Sequence, residues 1–368
     1  MNLEHVLSQL GPEFKKRAPV FDRENKFVEE NLLALKEMGV YKALIPKDCG
    51  GHGISYSELC HFLNSLAQRC PATSLALSMH QHLIATLTFK HLKGDAASSK
   101  TLQMIAAKDL VLVSTGAADW LTSNGSAQKV DGGYKINCIK HFCSGSPIAH
   151  VAVMSCAYNE GEDEQVIHFS APLASEGVEV LNDWNAMGMR GTGSHSIVFK
   201  DVFIPGEGIN LIRKSGAWHP LFNVVSVLAF TIIMSVYVGI AQAITEYALK
   251  NISDRPTRDA SSIALLGRMQ NHFQIMKWAF DDMSRTANNF DFSPSDENTN
   301  KIFQAKSLIA KNGRECAQSA MEALGGSSYL KSLELERLYR DIMAGEFHPI
   351  QSGKQEAFLG SFLLSGKI

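Results

Sequence analysis

From Ser215 to Thr245 the chain carries no Asp, Glu, Lys or Arg. Leu221 to Ile244 is long enough to span a bilayer, for which about 20 apolar residues suffice. The stretch also holds Asn223, Ser226, Ser235 and Gln242, its basic flanks are weak, and no second segment like it exists. The better reading is a helix in the middle of a bundle, because a helix apolar on all sides is a surrounded helix. Such a helix needs cover on every face. A three-helix bundle from one chain falls short of that, so the sequence predicts an oligomer, a homodimer or homotetramer.

The pattern around this helix changes twice. Residues 1–108 read as helices. LLALKEMGVYKALIP has apolar residues at helical spacing and is expected to run to Pro46. Ser55 and Glu58 form a capping-box pair before the next helix, and Pro71 opens a third. Over residues 109–213 the runs LVLVSTG, AQKV, YKINCIKHF, HVAVMSCAY, QVIHFSAPL, VEVL and HSIVFKDVFIP are short and rich in β-branched residues. Asp131-Gly132-Gly133 is a hairpin turn. Seven such strands suggest a small β-barrel or sandwich. Over residues 214–368 the helical period returns, with helices to about Lys250, from Ser262 to Asn288, and from Lys301 to Leu324, which stops at Gly325-Gly326. The fold class is therefore α+β and multidomain: an N-terminal helical domain, a central small β domain and a C-terminal four-helix-bundle-like domain.

The charge balance excludes some partners. Net charge is −2, so neither nucleic acid nor an acidic membrane surface is indicated. The 7 cysteines are odd in number and show no metal-ligand spacing, which fits reduced, buried thiols and no metal site. The N-terminus lacks an apolar signal region, and a cytoplasmic location is expected.

The stretch WNAMGMRGTGSHSIVFKDVFIP, residues 184–205, sets a glycine-rich polar turn immediately before a strand. With LKEMGVYKALIPKDCGGHGISYSEL, GGYKINCIKHFCSGSPIAHVAVM, and VGIAQAITEYALK together with EALGGSSYLKSLELERLYRD, in this order, the chain resembles the acyl-CoA dehydrogenase superfamily of flavoproteins. The resemblance implies FAD, or alternatively FMN, bound between the β domain and the C-terminal bundle. It implies flavin contacts from Ser144, Phe142, Ser114, Thr115, Gly325 and Gly326, and places Arg190 near the substrate. It also implies a small-molecule substrate, a CoA thioester or related organic compound, and a flavin reductase or electron-transfer partner.

The chain departs from the dehydrogenase pattern at the base. Those enzymes abstract a thioester α-proton with a glutamate, at one of two positions. Here the two positions hold Pro349 and Ala229, and Glu346 lies about a turn away. Asn251 replaces an Arg that reaches the FAD diphosphate, and Glu322 replaces the Gln before the Gly-Gly. Arg255 and Arg258 are alternative phosphate partners, or solvated loop charges. Flavin monooxygenases of the same fold place histidines where His348 and His82 lie, and an imidazole can donate to a peroxide or accept a proton near neutral pH. Three readings follow: a dehydrogenase-like oxidoreductase with an unusual base, a monooxygenase using reduced flavin and oxygen, and a non-catalytic flavin-binding protein. The histidine reading predicts one ionisation near neutral pH.

Overall fold

Capping residues and prolines set most helix starts. The computed structural model describes residues 1–116, 119–160 and 163–367. Helix α1 (Leu3–Glu24) starts on the Asn2 side chain, which accepts from the His5 N–H. Helix α2 (Glu29–Glu37) ends earlier than its apolar spacing predicts. Gly39 turns the chain with φ +77°, and Val40–Lys42 form only a short 3-10 turn. Helix α3 (Tyr56–Ala67) has the predicted capping box, with Ser55 and Glu58 bonded reciprocally. Helix α4 (Pro71–Leu92) begins with Pro71, and α5 (Ala96–Lys108) is capped by Asp95.

The central segment forms one eight-stranded sheet. Its strands are β1 (Leu112–Ser114), β2 (Ser126–Val130), β3 (Gly133–Cys143), β4 (Val151–Glu160), β5 (Asp163–Pro172), β6 (Val178–Val180), β7 (His195–Pro205) and β8 (Ile209–Lys214). Strand β8 is one more than the sequence predicts; it pairs antiparallel with β5. The order is β6-β7-β3-β2-β4-β5-β8, with β1 parallel to β4.

The apolar stretch is α6 (Leu221–Ser253), and protein surrounds it. Helices α7 (Ala260–Ala287), α8 (Asp296–Leu324) and α9 (Glu334–Met343) pack on it from the C-terminal side, and α10 (Ser352–Ser365) closes the chain against α8. The N-terminal helices α3 and α4 cover its remaining faces. A Cβ on Gly239 would stand 2.2 Å from the Asn64 carbonyl oxygen, so α3 crosses α6 backbone to backbone there. The Tyr56 hydroxyl donates to the Leu228 carbonyl at 2.6 Å. The expectation that α6 needs a second chain for cover is therefore corrected: the cover comes from the chain's own first domain. The helical segments at the two ends share one hydrophobic core, and the sheet encloses a separate one.

Candidate active site

The glycine-rich turn before β7 is where the two cores are joined. A Cβ on Gly188 would lie 2.1 Å from the Arg340 carbonyl oxygen of α9, and one on Gly191 would lie 2.9 Å from Val28 Cγ1. Gly193 has φ +55° and presses on Phe27. The Met189 N–H donates to the buried Asp341 carboxylate at 2.6 Å, and the Arg340 guanidinium holds Asp22, Glu336 and the Met187 carbonyl. Burial pushes the Asp341 carboxyl up to about 6, against the pull of Arg337. Arg190 belongs to this joint. Its guanidinium donates to the Asp22 carbonyl at 2.8 Å and the Ala186 carbonyl at 3.0 Å, with Asn185 Oδ1 at 3.4 Å. These bonds tie the turn to the end of α1.

The joint also fixes a chain of hydroxyls. Thr192 Oγ1 donates to the Met189 carbonyl at 2.9 Å; Ser194 Oγ is 2.6 Å from Thr192 Oγ1, and Ser144 Oγ is 2.7 Å from Ser194 Oγ. Each hydroxyl has one proton. The Met189 carbonyl also accepts from Trp184 Nε1 at 3.2 Å and from the Thr192 N–H at 3.1 Å; if Thr192 gave its hydroxyl proton to Ser194, that hydroxyl oxygen and the carbonyl oxygen would still stand 2.9 Å apart with no proton between them. The protons therefore run inward, Ser144 to Ser194 to Thr192 to carbonyl. Ser144 is left with acceptor capacity only. Beside it, Phe142 has φ +59°, a strained conformation for a bulky side chain, and is 63% exposed, edge-on to Trp184 at 6.1 Å. Phe142 therefore stands outside the core. Ser114 ends β1 opposite Val153, and Thr115 donates its buried hydroxyl to the Val153 carbonyl at 3.1 Å.

The two histidines meet at the other side, in the bundle. Tyr237 of α6 sets its hydroxyl 2.6 Å from His348 Nε2. That hydroxyl is buried and has no other partner among the described residues, so its proton goes to Nε2 and the His348 proton sits on Nδ1. His82, on α4, is buried and its Nδ1 has no hydrogen-bond partner among the described residues. Burial, then Lys306 and His82, push His348 down to about 3; burial and His80 push His82 down to about 4. The expected ionisation near neutral pH therefore does not come from these residues, because a charged imidazole would be desolvated here and would face other cations.

Several features escape a linear reading. Lys306 on α8 is buried, with Nζ 2.9 Å from the Ile350 carbonyl, 3.0 Å from Gln355 Oε1 and 5.7 Å above the Phe230 ring. Its one sequence signal is a lysine in the apolar phase Ile302, Lys306, Ile309. Trp120 stacks on Trp218 and Phe230 at 5.8 and 5.4 Å, and its buried Nε1 has no partner among the described residues. Its neighbour Asp119 is anchored by Lys140 at 2.7 Å and Ser155 at 2.9 Å, which holds the tryptophan against the bundle.

Neither usual base position offers a carboxylate, and Glu346 is committed elsewhere. Ala229 is buried in α6, and Glu346 is paired with Arg314 at 2.9 Å. Arg255 donates to the Leu324 carbonyl at 2.9 Å and Arg258 to the Ile252 and Ser253 carbonyls, so each serves a helix end. Asn251 is bonded within its own helix to the Tyr247 carbonyl. Just past α8, nothing lies within 4 Å of a Cβ on Gly325 or Gly326, and Tyr329 beyond them is exposed. Away from the site, Asp48, Cys49 and His91 converge although no spacing marks them. Both His91 nitrogens are already engaged there, with Ser99 at 2.8 Å and Asp48 at 3.3 Å.

Comparison with known proteins agrees with this layout. An amino sugar nitrososynthase, DnmZ, from Streptomyces peucetius is 26% identical, covering 94% of this chain and 88% of its own. A nitrososynthase from Micromonospora carbonacea var. africana superposes with a TM-score of 0.89 at 21% identity, covering 99% of this chain and 96% of that one. FMN-bound TdsC from Paenibacillus sp. A11-2, a dibenzothiophene monooxygenase, superposes with a TM-score of 0.84 at 18% identity, covering 100% and 98%. The family models for the acyl-CoA dehydrogenase N-terminal, middle and C-terminal domains match residues 5–108, 115–202 and 231–356. Three domain models in their proper order, over most of the sequence, show that the chain belongs to the acyl-CoA dehydrogenase family of flavoenzyme folds.

Proposed function

We propose that this chain is a flavin-dependent monooxygenase that takes up flavin in its reduced form and oxygenates a small organic substrate. The direction of the hydroxyl relay carries this reading. Oxidised flavin presents N5 as an acceptor, whereas reduced flavin presents an N5–H donor. A Ser144 that can only accept at its outer face favours the second. The site suits a flavin in other respects: an exposed aromatic at Phe142, an open glycine loop at Gly325-Gly326, and an orphaned His82 nitrogen. FMN is the better fit than FAD, since Asn251 and Arg255 are spent on backbone carbonyls. Reduced flavin, when bound, supplies the two electrons that activate dioxygen. Neutral His348 offers a donor at Nδ1 and neutral His82 a free nitrogen. The nitrososynthase relatives make a small amine the first substrate class to test. A separate reductase supplies the reduced flavin. Homo-oligomerisation is part of this reading and rests on the family alone.

The dehydrogenase reading lacks its base, for neither Ala229 nor Pro349 can take a proton, and general-base catalysis contributes about 10² to 10⁴ in rate. The test uses protein loaded with FMN or FAD. Anaerobic acyl-CoA should leave the flavin absorbance unchanged, and reduced flavin with ¹⁸O₂ and an amine panel should give labelled product. Bleaching by acyl-CoA at about 1 s⁻¹ or faster, the common enzyme range, would overturn the proposal and make Glu346 the first base to test.

The relay makes a separate prediction. In Thr192→Val, Ser194 loses its acceptor, turns to Ser144, and frees the Ser144 proton to point outward. The ratio of reduced to oxidised flavin affinity should then fall by roughly 3- to 10-fold, the scale of one hydrogen bond. Fluorescence titration in both redox states measures it, and an unchanged ratio counts against the relay direction.

A further inference from the structure

A buried cation without a carboxylate is costly, since burial penalises the charge and no counter-ion offsets it. Lys306 is 1% exposed, and among the described residues no carboxylate stands within ion-pair distance of it. A methionine would fill the same space without that cost. We propose that Lys306 is a positioning residue that holds His348 in its orientation, by clamping the backbone segment that follows it to α8 and α10. This rests on reading His348 as a residue of the active site.

Two contacts make the clamp. Lys306 Nζ donates to the Ile350 carbonyl, two residues beyond His348, and to Gln355 of α10. Gln355 in turn donates to the Phe303 carbonyl and to Ser307 on α8, so the chain after His348 is stapled to one helix face. The surroundings of the ring fit one tautomer. The groups facing His348 are Tyr237 from α6, Lys306 from α8 and His82 from α4. Asp341 of α9 acts on Tyr237, and nearby Glu346 is already paired with Arg314. No anion in that set favours an imidazolium. A proton added to Nε2 would also confront the Tyr237 hydroxyl proton, which has no other acceptor. Charge and tautomer therefore agree: His348 is held as a donor at Nδ1. Burial pushes Lys306 itself down to about 8, so at neutral pH it keeps the protons it donates to Ile350 and Gln355.

The test reads the ring directly. Flavin-free protein with ring-¹⁵N-labelled histidine is compared by NMR at pH 7.5, for wild type, Lys306→Met and Lys306→Gln. Wild-type His348 should show one neutral tautomer, with its proton on Nδ1. Lys306→Met loses both donor contacts, so the His348 segment loosens from Tyr237 and the ratio of the two tautomers should change by at least about threefold. The Lys306→Gln side chain is too short to bridge Ile350 and Gln355 together, and decides the matter if Lys306→Met does not fold. A glutamine variant whose His348 keeps the wild-type tautomer ratio would overturn the proposal, because the clamp would then be irrelevant. Failure of any form to bind flavin would overturn the proposed function while leaving this readout intact.

Discussion

Between pH 7 and pH 5 the free energy of unfolding should fall by about 6 kcal/mol. Four histidines are held neutral by burial: His80 and His82 at about 4, and His168 and His348 at about 3. Each has its ordinary value, near 6.5, in the unfolded chain. Below that value the unfolded chain binds a proton that the native one refuses, so the stability present above pH 6.5 is lost as the pH falls toward 4. At pH 5 each residue has cost about 1.9 kcal/mol relative to pH 7. Asp341 opposes them: its carboxyl is raised to about 6, so the native state binds a proton first and gains about 1.3 kcal/mol over the same interval. The net is comparable to the whole stability of an ordinary domain, about 5–15 kcal/mol. His52, His150, His195 and His219 are lowered too and act in the same direction. Urea unfolding at pH 7, 6 and 5 measures this; a midpoint that is flat across the range would mean the histidines are hydrated.

The legible parts of the fold were those governed by one local rule. Ser55 with Glu58, Pro71 and the Asp131-Gly132 turn each act within four residues, and each stands where the sequence reading puts it. Local rules failed where a distant partner decides. Apolar spacing continues past Glu37, but Gly39 takes a left-handed turn and the helix stops. Strand β8 was missed because INLIRK is short, and only pairing with β5 makes it a strand. For α6 the composition announces complete burial but not what does the burying. Its cover from α3 depends on Gly239 meeting Asn64, a contact across the whole β domain in sequence.

The site divides in the same way. Ser144, His82 and His348 were nameable because a family resemblance marks their places. Their protonation was not, since it depends on neighbours the sequence cannot assemble. Tyr237 lies on α6, far from His348 in the chain, yet its hydroxyl fixes which nitrogen carries the His348 proton. Thr192 and Ser194 stand in the quoted turn, but the direction of their protons follows from the Met189 carbonyl. Arg190 was the most prominent charge of that turn, and the structure gives it backbone carbonyls as partners.

Replacing Gly188 with alanine should cost about 3 kcal/mol and reduce any flavin-dependent turnover by roughly 10²-fold. The new methyl would stand 2.1 Å from the Arg340 carbonyl oxygen and 2.8 Å from the Asp341 nitrogen, both backbone atoms. Neither can rotate away, so the turn and α9 must separate. That separation breaks the bond from Met189 to Asp341 and loosens the Arg340 grip on Met187. The hydroxyl relay is anchored on the Met189 carbonyl, and the His348 segment follows α9 directly. The two halves of the site therefore move apart, and a displacement near 1 Å is enough for a loss of that size. Gly326→Ala is the matched control. Its methyl meets nothing within 4 Å, so stability should stay within about 0.5 kcal/mol, and only affinity for a ligand lying over the open loop should change. Thermal or urea unfolding with flavin titration separates the two variants. A Gly188→Ala protein that keeps wild-type stability and flavin affinity would show that the joint is pliable, and that the spacing between Ser144 and His348 is set elsewhere.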